Sequence, residues 1–254
     1  MDARWLNVAQ HAVEAAQQVL NHYWEHGAVA RMKADATPVT LADEEAEAAI
    51  RSVLAEAFPD HGFYGEEGGS DRTDAECVWL IDPLDGTKSF VRRQPFFSTQ
   101  LALLQHGKRV LGVSNAPRFA ERAHAVVGEG AWLNGARLQV SRTDTLAAAA
   151  LSTGNLRTLA SGSGWVGLGA LVAQVDRVRG YGDFYHFHQL AAGQLDVVIE
   201  SDVNILDIAA LATIVEEAGG RVTDMHGEPV RLATTSVVAT NGVLHERVLE
   251  ALWS

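Results

Sequence analysis

The feature that most limits the fold of this chain is a change in the spacing of its apolar residues along the sequence. Residues 5–24 repeat apolar side chains at helical intervals up to Gly27, and a second helical pattern at 41–57 follows a loop at 33–38 and stops before Pro59. From 77 to 140 the pattern changes to short β-rich runs separated by glycine-containing turns, which predicts a largely antiparallel sheet. After 140, strand-like and helix-like pieces alternate. The sequence therefore predicts an α+β fold with helices and sheets stacked in layers.

Chain length sets the expected number of domains. The 254 residues, 47% of them hydrophobic, can bury a sizeable core and suit one large domain or two closely joined ones. We expect a single unit over 1–254, with an N-terminal α+β half at about 1–140 and a C-terminal α/β half at about 141–254.

Charge and cysteine content restrict the partners and the compartment. A formal net charge of -12 without a basic stretch argues against a nucleic-acid or anionic-membrane partner, and a small anionic substrate would need cations to screen the site. No uncharged apolar run reaches the roughly 20 residues that cross a bilayer, and the first residues lack the layout of a signal peptide. The single cysteine, Cys77, allows no intramolecular disulfide. We expect a cytoplasmic protein.

The segment most informative about chemistry is 78–90, where an apolar strand delivers Asp82 and Asp85 into a loop. Pro83 and Gly86 bend this loop, so two carboxylates three residues apart can point at one cation, and the Leu84 carbonyl offers another hard oxygen. Mg2+ prefers such oxygen donors. The alternative is an ordinary Asp-rich turn in which an aspartate caps the following helix.

Two sequence-distant acidic positions favour the metal site. Glu66 and Glu67 follow a strand-like pair, and Asp207 opens an apolar helix. Each position has a simpler explanation, since the glutamates could only make a loop more soluble and Asp207 could be an ordinary acid in a first helical turn. Their occurrence together with Asp82 and Asp85 favours a shared site.

Three blocks of sequence resemble the inositol monophosphatase superfamily in order and spacing: GEE at 65–67, WLIDPLDGTKSF at 79–90, and LDIAA at 206–210 followed by EAGG at 217–220. One departure is Leu206, where many relatives carry tryptophan. The resemblance implies the layered α/β sandwich of the sugar phosphatases and Mg2+-dependent hydrolysis of a small phosphate monoester.

The resemblance also implies a cluster of two or three Mg2+ ions. Glu66, Asp82 and the Leu84 carbonyl would hold one ion, and Asp82, Asp85 and Asp207 would hold another. Metal ions of this kind lower the pKa of a bound water and neutralise phosphate charge.

The same resemblance assigns the catalytic groups. Glu66 and Thr87 would orient or deprotonate the attacking water, with Asp43 holding the Thr87 hydroxyl. The backbone N–H groups of Gly86 and Thr87 would contact phosphate oxygens. A covalent aspartyl-phosphate route is the competing mechanism, but the haloacid dehalogenase type places its two aspartates two residues apart, whereas Asp82 and Asp85 are three apart. Direct attack by water is therefore preferred.

Substrate choice is expected to depend on Asp183 and Glu200, which the resemblance places around the leaving group. A carboxylate facing the pocket would favour a substrate with an amine or imidazolium, although Asp183 could instead cap the following helix. Gly182 and Asp183, together with Lys88 and Ser89 after the Gly-Thr pair, resemble the histidinol-phosphate phosphatase branch, so L-histidinol phosphate is the predicted substrate. Inositol 1-phosphate and adenosine 3',5'-bisphosphate are the rivals, and a catalytically silent member that binds a phosphorylated metabolite is the alternative outside enzymes. The predicted substrate contacts are Asp85, Gly86, Thr87, Asp183, Glu200 and Asp207, and the resemblance suggests a homodimer.

Overall fold

The first two helices form where the apolar spacing predicts them. The computed structural model describes residues 2–27, 30–32 and 38–253. Helix α1 spans Arg4–His26 and ends at Gly27, whose positive φ of 98° suits a residue without a Cβ. Helix α2 spans Leu41–Ala57 and begins at Thr40 in a capping box. Both helix predictions are confirmed, whereas the predicted loop at 33–38 lies, for 33–37, outside the described residues.

Within the described ranges the chain forms eight α-helices, one 3-10 helix and fifteen strands. The remaining helices are α3 (Thr87–Val91), α4 (Leu156–Ser161), α5 (Trp165–Val172), α6 (Asp183–Ala191), α7 (Ile205–Glu217) and α8 (His245–Trp253), with the 3-10 turn at Leu146–Ala148. The strands are β1 (Ala30–Met32), β2 (Pro38–Thr40), β3 (Gly62–Gly65), β4 (Ser70–Asp71), β5 (Cys77–Asp85), β6 (Ser98–Gln105), β7 (Lys108–Ala116), β8 (Glu121–Val126), β9 (Gly130–Leu133), β10 (Ala136–Arg137), β11 (Ala150–Thr153), β12 (Arg177–Arg179), β13 (Val197–Ser201), β14 (Arg221–Thr223) and β15 (Ser236–Thr240).

The larger sheet has eight strands in the order β10-β9-β8-β7-β6-β5-β3-β4. Every neighbouring pair is antiparallel except β3 and β5, which run parallel. The hairpins between β6 and β7 and between β8 and β9 turn at the predicted glycines. The prediction of a largely antiparallel sheet is confirmed.

The second sheet has five strands in the order β12-β11-β13-β15-β14. Strand β11 pairs in parallel with β12 and β13, while β15 pairs antiparallel with β13 and β14. Strands β1 and β2 form a separate antiparallel pair next to α2.

Three apolar clusters place the elements in five layers. Helices α1 and α2 cover one face of the large sheet, α6 and α7 fill the space between the two sheets, and α4, α5 and α8 cover the far face of the second sheet. Strand β5 shows why both faces are buried, since Trp79 and Ile81 join the first cluster while Leu80 joins the middle one. This stacking of helix, sheet, helix, sheet and helix confirms the predicted layered α+β fold.

The middle cluster combines residues from both predicted halves of the chain. Leu80 and Ala102 of the large sheet belong to the same core as Val198 and Val237 of the second sheet. The division near residue 140 stays a prediction. No helix in the described ranges combines the length and apolarity needed to cross a membrane.

Candidate active site

Strand β5 ends in an irregularity that brings two predicted ligands to one side of the sheet. Its pairing with β6 shifts register between Asp82 and Asp85, so the carboxylates are no longer related by regular strand alternation. Asp82 is 2% exposed, and its Oδ1 accepts a hydrogen bond from the Leu84 N–H at 3.0 Å. The chain then turns at Gly86, where a Cβ would lie 2.5 Å from the Phe96 carbonyl oxygen at a φ of 87°. Only glycine fits this turn.

Thr87 opens α3 directly after this turn and joins the predicted catalytic groups. Its hydroxyl lies 3.0 Å from Asp43 Oδ1 and 3.0 Å from the Leu84 carbonyl oxygen, so its single hydrogen can be donated to either acceptor. Asp43 also accepts from the Thr40 N–H and hydroxyl in the capping box of α2. Burial raises the pKa of Asp43. The predicted contact between Asp43 and Thr87 is present, and its catalytic role stays a prediction.

Asp207 lies at the corresponding position of another capping box. Asn204 precedes α7 and accepts from the Leu206 N–H at 2.7 Å, while the Asn204 N–H and side-chain amide each donate to Asp207 at 2.8 Å. Asp207 is therefore both an acid in the first turn of α7 and a residue that lines the cavity. Because the cap fixes its backbone and side chain, Asp207 points into the site from a rigid element.

Glu66 lies on the loop after β3, and a residue that the sequence did not single out holds that loop. Glu47 of α2 accepts from the N–H groups of Glu67 at 2.7 Å and Gly68 at 3.0 Å. Glutamates are mostly exposed in folded proteins, but Glu47 is only 1% exposed. Helical spacing was the available signal, since Glu47 lies four residues after the buried Asp43 and therefore on the same face.

The predicted residues meet around one cavity of about 230 Å3. Of the predicted set, the cavity is lined by Glu66, Asp82, Leu84, Asp85, Gly86, Thr87, Asp183, Glu200 and Asp207. Asp43 is not in the lining and reaches the site through Thr87. Among the lining residues that the structure describes, Lys88 is the only one with a basic side chain.

Burial and mutual repulsion disturb the ionisation of these carboxyl groups. Burial raises the pKa of Asp82 well above its ordinary value, and the negative charges of Glu66 and Asp85 raise it further. The pKa of Asp85 is raised by burial first and then by the charge of Asp183. Burial also raises the pKa of Asp207 to about 6. Carboxyl groups that destabilise one another in this way favour an incoming cation.

Asp183 and Glu200 line the cavity from α6 and β13, and the negative charge of Asp183 acts on Asp85 of the β5 loop. Asp183 is the first residue of α6 and has a φ of 50°, an unusual value for a residue with a Cβ. The cap position belongs to Gly182, so the alternative that Asp183 caps the helix is wrong. Burial raises the pKa of Asp183 to about 6 and that of Glu200 to about 8.

A packed shell fixes the Glu200 carboxyl. A Cβ on Gly154 would lie 1.7 Å from Glu200 Oε2, so glycine provides the space for this side chain. The Ser201 N–H donates to Glu200 Oε1 at 3.2 Å, and His186 Nε2 lies 3.4 Å from Oε2. Glu200 is therefore held in place at the cavity wall.

The donor set suits Mg2+ in its chemistry and its location. Within residues 2–27, 30–32 and 38–253, no three or more histidine, cysteine, aspartate or glutamate side chains form a group that could hold a metal ion as they stand. Three of the predicted carboxylate ligands accept hydrogen bonds from neighbours: Asp82 from the Leu84 N–H, Asp85 Oδ2 from the Ser98 hydroxyl at 3.1 Å, and Asp207 from Asn204. Each carboxylate oxygen has a further lone pair, and carboxylates are the oxygen donors that Mg2+ prefers. The ligand roles of these residues remain predictions.

Comparison with known proteins identifies the class of this fold and site. The model of the inositol monophosphatase family matches residues 1–254. The histidinol-phosphatase of Mycobacterium tuberculosis is 41% identical over 231 residues, covering 87% of this chain and 86% of that protein. The inositol-1-monophosphatase of Mesorhizobium japonicum is 34% identical over 253 residues, covering 97% of this chain and 95% of that protein. The solved structure of the extragenic suppressor protein suhB from Bartonella henselae matches with a TM-score of 0.90 at 32% identity, covering 98% of both chains.

The fold, the carboxylate-lined cavity and these relatives define a phosphoric monoester hydrolase. The chain belongs to the inositol monophosphatase family, whose members generally depend on metal ions. It acts on a small phosphorylated substrate, and the catalytically silent alternative is set aside.

Proposed function

We propose that this protein hydrolyses L-histidinol phosphate to L-histidinol with Mg2+ as its cofactor. The observation that carries this proposal is the pair Asp183 and Glu200, two largely buried carboxyl groups that line the same cavity as the predicted metal ligands without belonging to that ligand set. Their raised pKa values mean that ionising either buried carboxyl group costs free energy, and a cation from the leaving group would offset that cost. L-Histidinol carries an amine and an imidazole, and the similarity to a histidinol-phosphatase supports the same substrate.

In this proposal two or three Mg2+ ions are held by Glu66, Asp82, the Leu84 carbonyl, Asp85 and Asp207. When bound, they supply charge neutralisation for the phosphate and acidify a water molecule. Binding requires Asp85 and Asp207 to use lone pairs beyond those already bonded to Ser98 and Asn204.

The chain itself orients the reacting groups. Asp43 accepts from Thr87 at 3.0 Å and so fixes the hydroxyl that, with Glu66, would orient the attacking water. The N–H groups of Gly86 and Thr87 would contact the phosphate. Asp85 and Asp207 would flank the phosphate while Asp183 and Glu200 bind the leaving group.

A second candidate function is hydrolysis of inositol 1-phosphate, or a broad specificity that includes adenosine 3',5'-bisphosphate. The observation in its favour is the similarity to an inositol-1-monophosphatase, which is lower in identity at 34% but covers 97% of this chain. An inositol leaving group carries no positive charge, so its hydroxyl groups could donate hydrogen bonds to ionised Asp183 and Glu200 but could not form an ion pair with them. The homodimer is a further part of the proposal, as is the cytoplasmic location, which the buried free thiol of Cys77 suits.

The test is a comparison of kcat/KM for L-histidinol phosphate, inositol 1-phosphate and adenosine 3',5'-bisphosphate with and without Mg2+. We expect the first to be preferred, and Asp183→Asn to lower its kcat/KM by about tenfold to a hundredfold, since a hydrogen bond to a charged group contributes about 1.5–3 kcal/mol. Glu200→Gln should act in the same direction. An equal loss for all three substrates would refute the substrate assignment, and full activity without Mg2+ would refute the metal.

A further inference from the structure

A chain of buried polar side chains leads away from Asp85 into the core between the large sheet and α6. The Ser98 hydroxyl donates to Asp85 Oδ2 at 3.1 Å. The Gln100 side-chain amide donates to Ser98 Oγ at 2.8 Å and to Ser114 Oγ at 3.1 Å. Ser98 and Gln100 lie two residues apart on β6 and so on one face, and Gln100 is directly opposite Ser114 of β7. Strand geometry therefore aligns these three side chains.

The chain continues from the sheet to helix α6. Ser114 Oγ lies 2.9 Å from His188 Nε2, and His188 Nδ1 lies 2.8 Å from Glu121 Oε2 on β8. The Phe184 ring packs edge-on against the His188 ring at 5.1 Å. Since α6 begins at Asp183, the helix held here is the one that presents the proposed leaving-group contact.

The hydrogen positions follow from counting donors. Gln100 uses both amide hydrogens, one on Ser98 and one on Ser114, which leaves the Ser98 hydrogen for Asp85. With a neutral His188 ring, the Ser114 hydrogen is left for Nε2, and Nδ1 carries the hydrogen donated to Glu121. Every hydrogen in the chain has one assigned acceptor, and Gln100 is the donor from which both branches start.

Packing alone does not explain these residues. Ser98, Gln100 and Ser114 are fully buried and His188 is 1% exposed, at positions where apolar side chains would fill the same space. Among the described residues, Gln100 Oε1 accepts no hydrogen bond from another protein group, and a buried polar atom without any partner would cost about 1–3 kcal/mol. Apolar replacement of buried polar groups is often neutral or stabilising. A polar chain kept at this cost is typical of a functional site.

We infer that Gln100 is a positioning residue that orients Asp85 through Ser98 and fixes α6 through Ser114 and His188. The inference rests on the proposed metal site. The hydrogen bonds join the proposed metal ligand Asp85 to the helix that presents Asp183 to the leaving group. A change at His188 should therefore alter the orientation of Asp85, and a change at Ser98 should alter the position of α6. Asp85 and His188 do not contact each other directly, so the coupling between them passes through the side chains of Ser98, Gln100 and Ser114.

The first measurement is calorimetric titration of Mg2+ into metal-stripped protein without substrate. We expect Ser98→Ala and Gln100→Leu to weaken Mg2+ binding about tenfold, because Asp85 loses a charge-assisted hydrogen bond or the group that aims it. His188→Leu should weaken Mg2+ binding at least threefold and raise the KM for L-histidinol phosphate. Unchanged Mg2+ affinity in His188→Leu would overturn the inference.

The decisive measurement is the double variant Ser98→Ala with His188→Leu. If the chain transmits orientation, His188→Leu adds less than twofold once Ser98→Ala has cut the link to Asp85. If the two losses instead multiply, the contacts are independent and no relay exists.

Two controls separate positioning from folding. Thr213→Val removes a buried hydroxyl that donates to the Ala209 carbonyl at 2.8 Å within α7, outside the chain, and should leave Mg2+ affinity unchanged. Ser98→Thr keeps the hydroxyl and should bind Mg2+ within twofold of the original protein, which also serves if Ser98→Ala fails to fold. A loss of Mg2+ affinity in these two controls as large as that in Ser98→Ala would overturn the inference. An original protein that takes up no Mg2+ would overturn the metal site and this inference together, whereas normal uptake with unaffected variants would overturn the positioning role alone.

Discussion

Glu47 holds the loop that carries Glu66, and its removal should weaken both folding and metal binding. Besides the two backbone N–H groups of Glu67 and Gly68, its carboxylate accepts from Arg51 Nε at 2.6 Å. Arg51 Nη2 in turn donates to the Gly69 carbonyl at 2.5 Å. Three of these hydrogen bonds tie α2 to the loop after β3, and the fourth joins Glu47 to Arg51 within α2.

The magnitude follows from what Glu47→Ala leaves behind. Two backbone N–H groups lose their acceptor, and Arg51 loses its partner. Removing one member of a buried ion pair costs about 3–5 kcal/mol. The Arg51 side chain is 21% exposed and can turn to water, so we expect the lower end, about 3 kcal/mol.

The assay is urea unfolding followed by tryptophan fluorescence, since Trp79 is fully buried in the core next to this region. Mg2+ titration of the same variant should show weaker binding, because Glu66 is no longer held at the cavity. Glu56→Ala, which removes an exposed acid from the same helix, should change the free energy of unfolding by less than about 0.5 kcal/mol. The reasoning would be refuted if Glu47→Ala changed the free energy of unfolding by less than about 0.5 kcal/mol. It would also be refuted if the variant were destabilised but bound Mg2+ as tightly as the original protein.

Three further predictions concern the turn, the cap and the charge of the site. Gly86→Ala should lower the free energy of unfolding by about 1–3 kcal/mol in urea titrations, because its Cβ would strike the Phe96 carbonyl at a positive φ, and an unchanged midpoint would contradict this. Asn204→Ala should cost about 1 kcal/mol from the lost cap and weaken Mg2+ binding by freeing Asp207, whereas Asn204→Asp should retain the cap. With a chelator present, burial gives Asp183 and Asp207 a pKa of about 6 each, so between about pH 4 and 6 the folded state binds more protons than the unfolded chain. The contribution of these groups to the free energy of unfolding is therefore highest below pH 4 and is lost as the pH rises through 6. For one group this loss is about 3 kcal/mol. The melting temperature of Asp183→Asn should therefore fall less over this range than that of the original protein, and identical slopes would exclude the effect.

The sequence predicted the acidic groups more completely than the groups that support them. Asp82 and Asp85 are visible because a strand, a proline and a glycine surround them within a few residues, and these local features fix the turn. Ser98 and Gln100 carry no such signal, since small polar residues in a strand are ordinary and their partners lie on other elements. The support for Asp85 could therefore not be predicted from local pattern.

The sequence by itself determined the elements and the reaction class. Periodicity defined α1, α2 and the central strands β5, β6, β7 and β8 of the large sheet, because the side chains that face a core repeat at the interval set by backbone geometry. The acidic motifs indicated a phosphatase of this family, which the matching relatives confirm.

Only the tertiary structure decided which polar residues are buried and what they contact. Glu47 accepts a hydrogen bond from the loop that carries Glu66. Asp183 is the first residue of α6 instead of its cap. His188 contacts Ser114 in the row of hydrogen bonds that begins at Asp85. Each of these contacts joins side chains that are 20 or more residues apart or depends on the angle at which a helix meets a sheet. Hydrogen bonds act only over about 3 Å, so they are set by how the five layers stack, which no local pattern records.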